Sequence, residues 1–583
     1  MLSHTLRKMS LVSGWVAPVS RTTAVRAGRY QWHVTPAGER LFGEDGPDLE
    51  GWIRDGLATV VKQGTQRTVF KVELDGGSAF VKRCRVNGLR AFGRELIRPA
   101  KARLEFENAV ALRELGLPAV EPLAWASLPR RGPGESILVT RFETGAEPVQ
   151  RFLDEVLPTL PPVQAGLLRR SMARELGILM ARLHDAGVAH PDPHPGNLIV
   201  TARENKLRFT LIDLHDIHFG RPLSWKDSLR NLVLFNRWFQ LRVSRADRQR
   251  FWTAYVSHRT TLPTACPLAL GKMAAKVERR TEHSNAGFWV DRLKRYRNCN
   301  RHVHCVDGPG IAGYAVRDLS PKFVERLAAD PMAPFREPHA KVLKDCPSTT
   351  VIEMTVPTPD GPKAAIYKRF RVKSPLTYLK NLFRPTPAMR SWLYGHNLLD
   401  RSLPTARPLC ILERKRFGVL PTEGWMLFEK VTESLTLLEA LRVLWTMPES
   451  HRVGWQWAEH LGRLIGQMHH KYVAHRDLKA SNILMKFALA NPEAVEAVLI
   501  DLVGVAPSRT VIPRNIRVRD LARIAVSVIA EGTTTRTDRL RVLRAYQAWG
   551  LHGGEDWKSW WHDIDRAVAA KQAKNRRNGR VLA

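Results

Sequence analysis

The thirteen residues VAHPDPHPGNLIV, from Val188 to Val200, return as VAHRDLKASNILM from Val473 to Met485, with His, Asp and Asn in register. A chain that carries one frame twice folds one architecture twice, unless the match stops at the loop. It does not stop there. ARELGILMARLHDAGVAH (173–190) aligns without a gap on AEHLGRLIGQMHHKYVAH (458–475). Apolar residues fall at Leu176, Leu179, Met180 and Leu183, and again at Leu461, Leu464, Ile465 and Met468. That spacing is one face of an amphipathic helix. Each loop is followed by a β-rich apolar run ending in aspartate, FTLID at Asp213 and AVLID at Asp501. Upstream, SAFVKRCRV and AAIYKRFRV place Lys82 and Lys368 on strand-like segments. Lys82 precedes Asp192 by 110 residues and Lys368 precedes Asp477 by 109. The repeat is therefore a whole domain of roughly 200–240 residues rather than a solenoid unit.

The repeated residues suit one chemistry. Phosphoryl transfer from a nucleotide needs the γ-phosphate held in line, its charge neutralised by metal, and a carboxylate to receive the acceptor's proton. A strand lysine can meet phosphates, and a loop Asp with Asn five residues on presents a base and a metal ligand. A second Asp ending a nearby strand supplies another oxygen ligand of the kind magnesium takes. The first copy offers Lys82, Asp192, Asn197 and Asp213; the second offers Lys368, Asp477, Asn482 and Asp501, with Lys479 placed to steady the transferred group. Each element alone is a weak signal, whereas four in order and in duplicate are specific.

These motifs resemble the lipopolysaccharide kinase family, the bacterial Kdo and core-heptose kinases of the protein-kinase-like superfamily. MARLHDAGVAHPDPHPGNLIV…FTLIDLHD resembles that family's His-x-Asp-x-His-x-x-Asn form, and EFENAVALRELGLPAVEPLAW its αC region. The resemblance spans roughly 60–260 and 340–550. It implies an α+β fold of two tandem kinase-like bilobal domains, each with a β-rich lobe and a larger helical lobe around a cleft for ATP and Mg2+. Carried over residue by residue, Lys82 contacts phosphates and Glu105 pairs with it from αC, with Glu107 as the alternative. Asp192 becomes the base, and Asn197 and Asp213 the metal ligands. The acceptor it implies is an anionic sugar or glycolipid.

Two departures stand out. Glu105 lies 23 residues after Lys82, but the same step from Lys368 reaches Ser391, with no Glu nearby. The glycine-rich cover of the phosphates is thin: VVKQGTQRTVFKV offers Gly64 alone, and LKDCPSTTVIEM offers no glycine. The first half, with its complete set, is the better candidate for chemistry, and the second is competent at the loop and metal positions. HRDLKASN keeps a protein serine/threonine kinase open as a reading, and DPHPGN a UbiB-like atypical kinase. A nucleotide-binding scaffold with one domain a pseudokinase is the non-enzymatic alternative.

The remaining features bound the partners. Ninety-one Lys and Arg against 56 Asp and Glu give a formal charge of +35, which favours polyanions or an anionic membrane face. No zinc-finger, homeodomain or RNA-recognition motif accompanies that charge, which argues against nucleic acid. No apolar stretch reaches the ~18–20 residues of a membrane span, so the expected location is cytoplasmic, with peripheral contact at the inner membrane face. Six scattered cysteines do not form a disulfide framework, as suits a reducing compartment. CNRHVHC (299–305) matches no usual zinc spacing and reads as solvated linker, His190 and His475 read as backbone braces, and the tryptophans read mostly as core. The expected organisation is an N-terminal extension (1–48), domain 1 (49–260), a connecting segment (261–340), domain 2 (341–570) and a basic tail (571–583).

Overall fold

The structure, a computed structural model, describes residues 22–579 except 65, 87, 89–91, 94–97, 129–133, 204–205, 263–265, 301, 339, 360, 372–383, 417–419, 448, 533 and 549–555. The basic opening and the last four residues lie outside the described residues. The chain divides into two compact units, Met1–Thr281 and Glu282–Ala583.

In the first unit, β1 (Thr23–Ala27), β2 (Tyr30–Val34), β3 (Ala58–Gln63), β4 (Arg67–Leu74), β5 (Gly77–Cys84), β6 (Pro122–Ser127) and β7 (Ser136–Arg141) form one sheet in the order β1-β2-β6-β7-β5-β4-β3. The second unit repeats it with β13 (Val303–Gly308), β14 (Ile311–Val316), β15 (Lys341–Cys346), β16 (Thr349–Thr358), β17 (Gly361–Arg371), β18 (Pro408–Arg416) and β19 (Leu420–Glu429), ordered β13-β14-β18-β19-β17-β16-β15. Lys82 pairs with Val69 across β5 and β4, and Lys368 with Val351 across β17 and β16, so the duplication holds to the residue.

The outer hairpins depart from the expected boundaries. Residues 23–34, assigned to an N-terminal extension, are strands of the first sheet, where Tyr30, Trp32 and Val34 bury one face and pair through β2 with β6. Residues 303–316, assigned to the connecting segment, do the same in the second sheet, β14 pairing with β18. Cys299 and Cys305 are joined as a disulfide, Cα atoms 5.4 Å apart, so CNRHVHC runs into edge strand β13 rather than forming a solvated linker. The basic tail begins inside a helix, Trp557–Arg577, whose N-cap Asp556 accepts from Lys558 and Ser559 amides.

The helical part of each unit is also duplicated. In the first, α1 (Lys101–Glu114) packs on the sheet, and α2 (Pro162–Asp185), α3 (Trp225–Phe239) and α4 (Arg245–His258) build the larger core. In the second the counterparts are α5 (Pro387–Asp400), α7 (Ser450–His470), α8 (Arg514–Glu531) and α9 (Arg536–Ala548), joined by α6 (Leu437–Leu444) and α10 (Trp557–Arg577). Gly177 on α2 and Gly462 on α7 explain how closely the long helices approach α4 and α9. A Cβ at either would run into a backbone carbonyl of the facing helix, that of Phe251 or of Val542. His184 and His469, both fully buried, reach across the same junction to the hydroxyls of Tyr255 (2.9 Å) and Tyr546 (3.1 Å). Burial holds the His184 imidazole neutral, its pKa pushed down to about 4.

Candidate active site

Each loop is assembled from backbone first. β9 (Val188–Ala189) pairs with β12 (His218–Phe219), and β21 (Val473–Ala474) with β24 (Ala506–Pro507), which fixes the loop entrances. β10 (Leu198–Arg203) and β11 (Lys206–Leu211) form the hairpin that leaves the first loop, with β8 (Ala146–Pro148) pairing on β10, and β22 (Ile483–Ala488) and β23 (Asn491–Leu499) the second, with β20 (Ser434–Thr436) pairing on β22. Asn197 donates through its side-chain amide to the Asp192 carbonyl (2.9 Å), and its own carbonyl accepts from Ile212 (2.9 Å), the neighbour of Asp213. Asn482 repeats this with Asp477 (2.8 Å) and Ile500 (2.9 Å), beside Asp501. Two bonds thus tie the loop aspartate's backbone, the asparagine and the strand that ends in the second aspartate to one another. Asp213 and Asp501 both sit in the left-handed region, φ 62° and 56°. A non-glycine residue there is strained, and such strain gathers at functional sites.

In the first unit the side chains converge. Lys82 is ion-paired with Glu105 of α1, both nearly out of solvent. Glu107 turns the other way and pairs with Arg103 (2.7 Å), so of the two glutamates it is Glu105 that faces Lys82. Asp213 accepts from His215 Nδ1 (3.0 Å) and faces Arg67 (3.3 Å). The His215 bond, with the charges of Lys82 and Arg67, holds the Asp213 carboxyl well below the usual range despite burial. The same bond raises the His215 imidazole. Glu105, Asp213 and His215 bring their ligand atoms within 4.8 Å of one another. Gly64 lies exposed at the β3–β4 turn, its amide bonded to the Arg67 carbonyl (2.9 Å). His194 is an exposed loop residue whose Nδ1 accepts from the Gly196 amide (2.9 Å).

The second unit solves the same problem differently. Ser391 occupies the αC position, buried and bonded to the Pro387 carbonyl (2.9 Å). Lys368, without a helix carboxylate, reaches Asp501 at 2.8 Å. Asp477 is held by Arg523 (3.0 Å) and Lys479 (3.3 Å).

Both loop histidines are buried backbone braces. The Asp192 amide donates to His190 Nδ1 (3.2 Å), and His475 Nε2 donates to the Ile500 carbonyl (3.2 Å). Burial pushes the His190 pKa down to about 4. Sequence reasoning missed the anchors beneath these loops. Asp520 of α8, fully buried, accepts from the amides of His475 (2.9 Å) and Arg476 (3.0 Å) and from His469 Nε2 (3.4 Å). Burial opposes its ionisation, yet those donors keep its carboxyl below the usual value. The first unit has Asn231 of α3 instead. Residue 191 is proline and has no N–H to give, so an amide that donates to the His190 carbonyl and accepts from His184 (3.1 Å) completes the set. Arg67, His215 and Arg523 were likewise not singled out. The local Arg-Asn/Asp-Leu pattern on α3 and α8 (RNLVL against RDLAR) was the available signal.

Asn197, Asp213, Asn482 and Asp501 present amide and carboxylate oxygens, the donor class that suits a hard divalent cation. No curated protein matches the chain closely enough to count as a relative. A solved structure, WaaP in complex with acyl carrier protein, is similar at 19% identity over 43% of this chain and 98% of its own, with a TM-score of 0.31. The lipopolysaccharide kinase (Kdo/WaaP) family matches at 61–255 and again at 374–546, one match in each unit. Since those two segments make up more than half of its residues, the chain belongs to the lipopolysaccharide kinase (Kdo/WaaP) family and is a kinase with a tandemly duplicated kinase-like fold.

Proposed function

We propose that the first unit transfers the γ-phosphoryl group of ATP to a hydroxyl of an anionic sugar in the lipopolysaccharide inner core, and that the second unit is an accessory nucleotide-binding domain. The observation that carries the reading is the contrast between the two lysines. Lys82 is oriented by a buried glutamate on α1, whereas Lys368 is engaged by the aspartate that its own metal site would need. In this reading Lys82 meets the phosphates, with Glu105 fixing its direction and the Gly64 turn lying over them. Asp192, exposed on its loop, accepts the proton of the acceptor hydroxyl. Asn197 and Asp213 would hold a divalent cation such as Mg2+. When bound, that ion neutralises charge on the phosphates and the group in transfer.

In the second unit Asn482 and Asp501 would play the metal role, and Asp477 and Lys479 the roles at the transferred group. There both oxygens of Asp477 already face cations, which supports nucleotide binding without transfer as the resting condition. Among the described residues no helix is long and apolar enough to cross a membrane. Peripheral contact with the anionic inner face would bring a glycolipid acceptor to the site.

The experiment is phosphoryl transfer from labelled ATP with Mg2+, offered deacylated lipopolysaccharide core and a generic protein acceptor. Wild type is compared with Asp192→Ala, Asp477→Ala and the double variant after each is shown to be folded. Sugar labelling lost with Asp192→Ala and kept with Asp477→Ala is expected. Loss only with Asp477→Ala would reverse the assignment of the units, and labelling of the protein acceptor alone would replace a sugar kinase by a protein kinase.

A further inference from the structure

The tryptophans of the second unit divide into two sets. Trp457 and Trp560 are core, as the sequence led one to expect, but Trp445 and Trp455 are 43% and 46% exposed. The exposed set is continuous with cations. Trp445 lies edge-on to His451 (5.8 Å), and His451 is one helical turn from Trp455 on α7. Arg541 of α9 covers the Trp455 ring (4.3 Å), Arg544 is the next residue on that face, and it lies over Trp557 of α10 (5.8 Å). These three ring contacts set indole rings and guanidinium groups side by side along α7, α9 and α10 and the turn before α7.

Charge reinforces it. Helices α7, α9 and α10 carry two, four and six Lys or Arg against one, one and two Asp or Glu. Asp538 is paired with Arg541 and Asp563 with Arg514 and Arg566, and over the three helices as a whole basic residues outnumber acidic ones twelve to four. Indole rings with arginine at their faces suit the boundary between lipid headgroups and acyl chains, where one part of a side chain is wet and the other is not. A polyanion in water would satisfy the arginines but leave Trp445 and Trp455 without apolar cover.

We propose that this stripe is the docking surface of the chain on a bilayer rich in anionic lipid. The proposal rests on the peripheral-membrane reading above and assigns it to the accessory unit. The accessory unit then supplies the membrane address and the first unit the chemistry.

The test is co-sedimentation of the full chain with vesicles of phosphatidylglycerol and phosphatidylethanolamine, against vesicles of phosphatidylcholine, at low and high salt. A basic residue at such a surface changes partitioning about five-fold. Arg541→Ala/Arg544→Ala/Lys558→Ala, the last removing the ammonium that lies over Trp557 (5.9 Å), should therefore lower binding to anionic vesicles about a hundred-fold, and the matching Arg541→Lys/Arg544→Lys variant should retain it. Trp455→Ala should weaken binding in high salt, where the apolar contribution persists. Helical circular dichroism and melting temperature control for folding. If wild type binds anionic vesicles and the triple variant binds equally, the stripe is not the surface while the peripheral reading stands. If wild type binds no vesicles, or prefers RNA of equal charge, both the stripe and the peripheral reading fall.

Discussion

Exchanging the loop anchors, Asp520→Asn in the second unit and Asn231→Asp in the first, tests whether each anchor is matched to the backbone above it. The Asp520 carboxylate accepts two backbone N–H groups in a fully buried setting. An amide of the same shape turns one acceptor oxygen into a donor that faces an N–H. At least one charge-assisted bond is lost, worth about 1.5–3 kcal/mol, and a buried donor is left unsatisfied. Destabilisation of about 2–4 kcal/mol follows for Asp520→Asn, with a similar or larger loss for Asp520→Ala. In the first unit Asn231→Asp puts a carboxylate against the His190 carbonyl, with no N–H at Pro191 to receive it. Its cost should be comparable although the change runs in the opposite chemical direction. Urea unfolding followed by tryptophan fluorescence reads both, as a shift in midpoint at unchanged slope. Values within about 0.5 kcal/mol of wild type for either substitution would refute the matching of anchor to loop.

Acid should destabilise the fold through its buried neutral histidines. His184 and His396 are held near pKa 4 and 3 by burial, against about 6.5 in an unfolded chain. Because the unfolded state binds more protons between those values, their stability is complete above about pH 6.5 and is lost as pH falls through about 4 for His184 and about 3 for His396. Unfolding midpoints at pH 7.5 and 5.0 should differ, and equal midpoints would contradict neutral burial. Gly177→Ala and Gly462→Ala should each cost about 1–3 kcal/mol by forcing the helices apart, measured as a lower melting temperature; an unchanged value would mean the helices can move aside freely. Glu105→Gln should lower transfer by the first unit and also lower its melting temperature, because the shielded Lys82 ammonium loses its carboxylate, and Ser391→Glu should increase nucleotide affinity of the second by releasing Asp501 from Lys368. Isothermal titration of an Asp213→Ala background isolates the latter.

What the sequence made legible was whatever kept its spacing. The two helix–loop–strand runs align without a gap, and Lys82 and Lys368 stand at almost the same distance from their loops. The anchors were hidden because the register slips. Asp192 to Asn231 is 39 residues and Asp477 to Asp520 is 43, since the hairpin between them is longer in the second copy. The partner also changes from amide to carboxylate, so similarity alone does not reveal it. Arg67 meets Asp213 across 146 residues of chain, a contact that no local pattern encodes. The outer hairpins were legible in part. Tyr30, Trp32 and Val34 alternate, and both hairpins lead into a helix opened by Thr35-Pro36 or Ser320-Pro321. Their strands are five or six residues long, too short for alternation to outweigh the expectation of an extension or a linker.

The two lysine pairs differ in one more respect. Lys82 and Glu105 are shielded from solvent, while Asp501 in the second pair is 41% exposed on its side chain. Mobile ions screen an exposed pair far more than a buried one. Rising ionic strength therefore loosens the self-neutralised cleft of the second unit and leaves the preset cleft of the first as it was. The duplicated domain gives one chain two lysine–carboxylate pairs with different sensitivity to the salt around them.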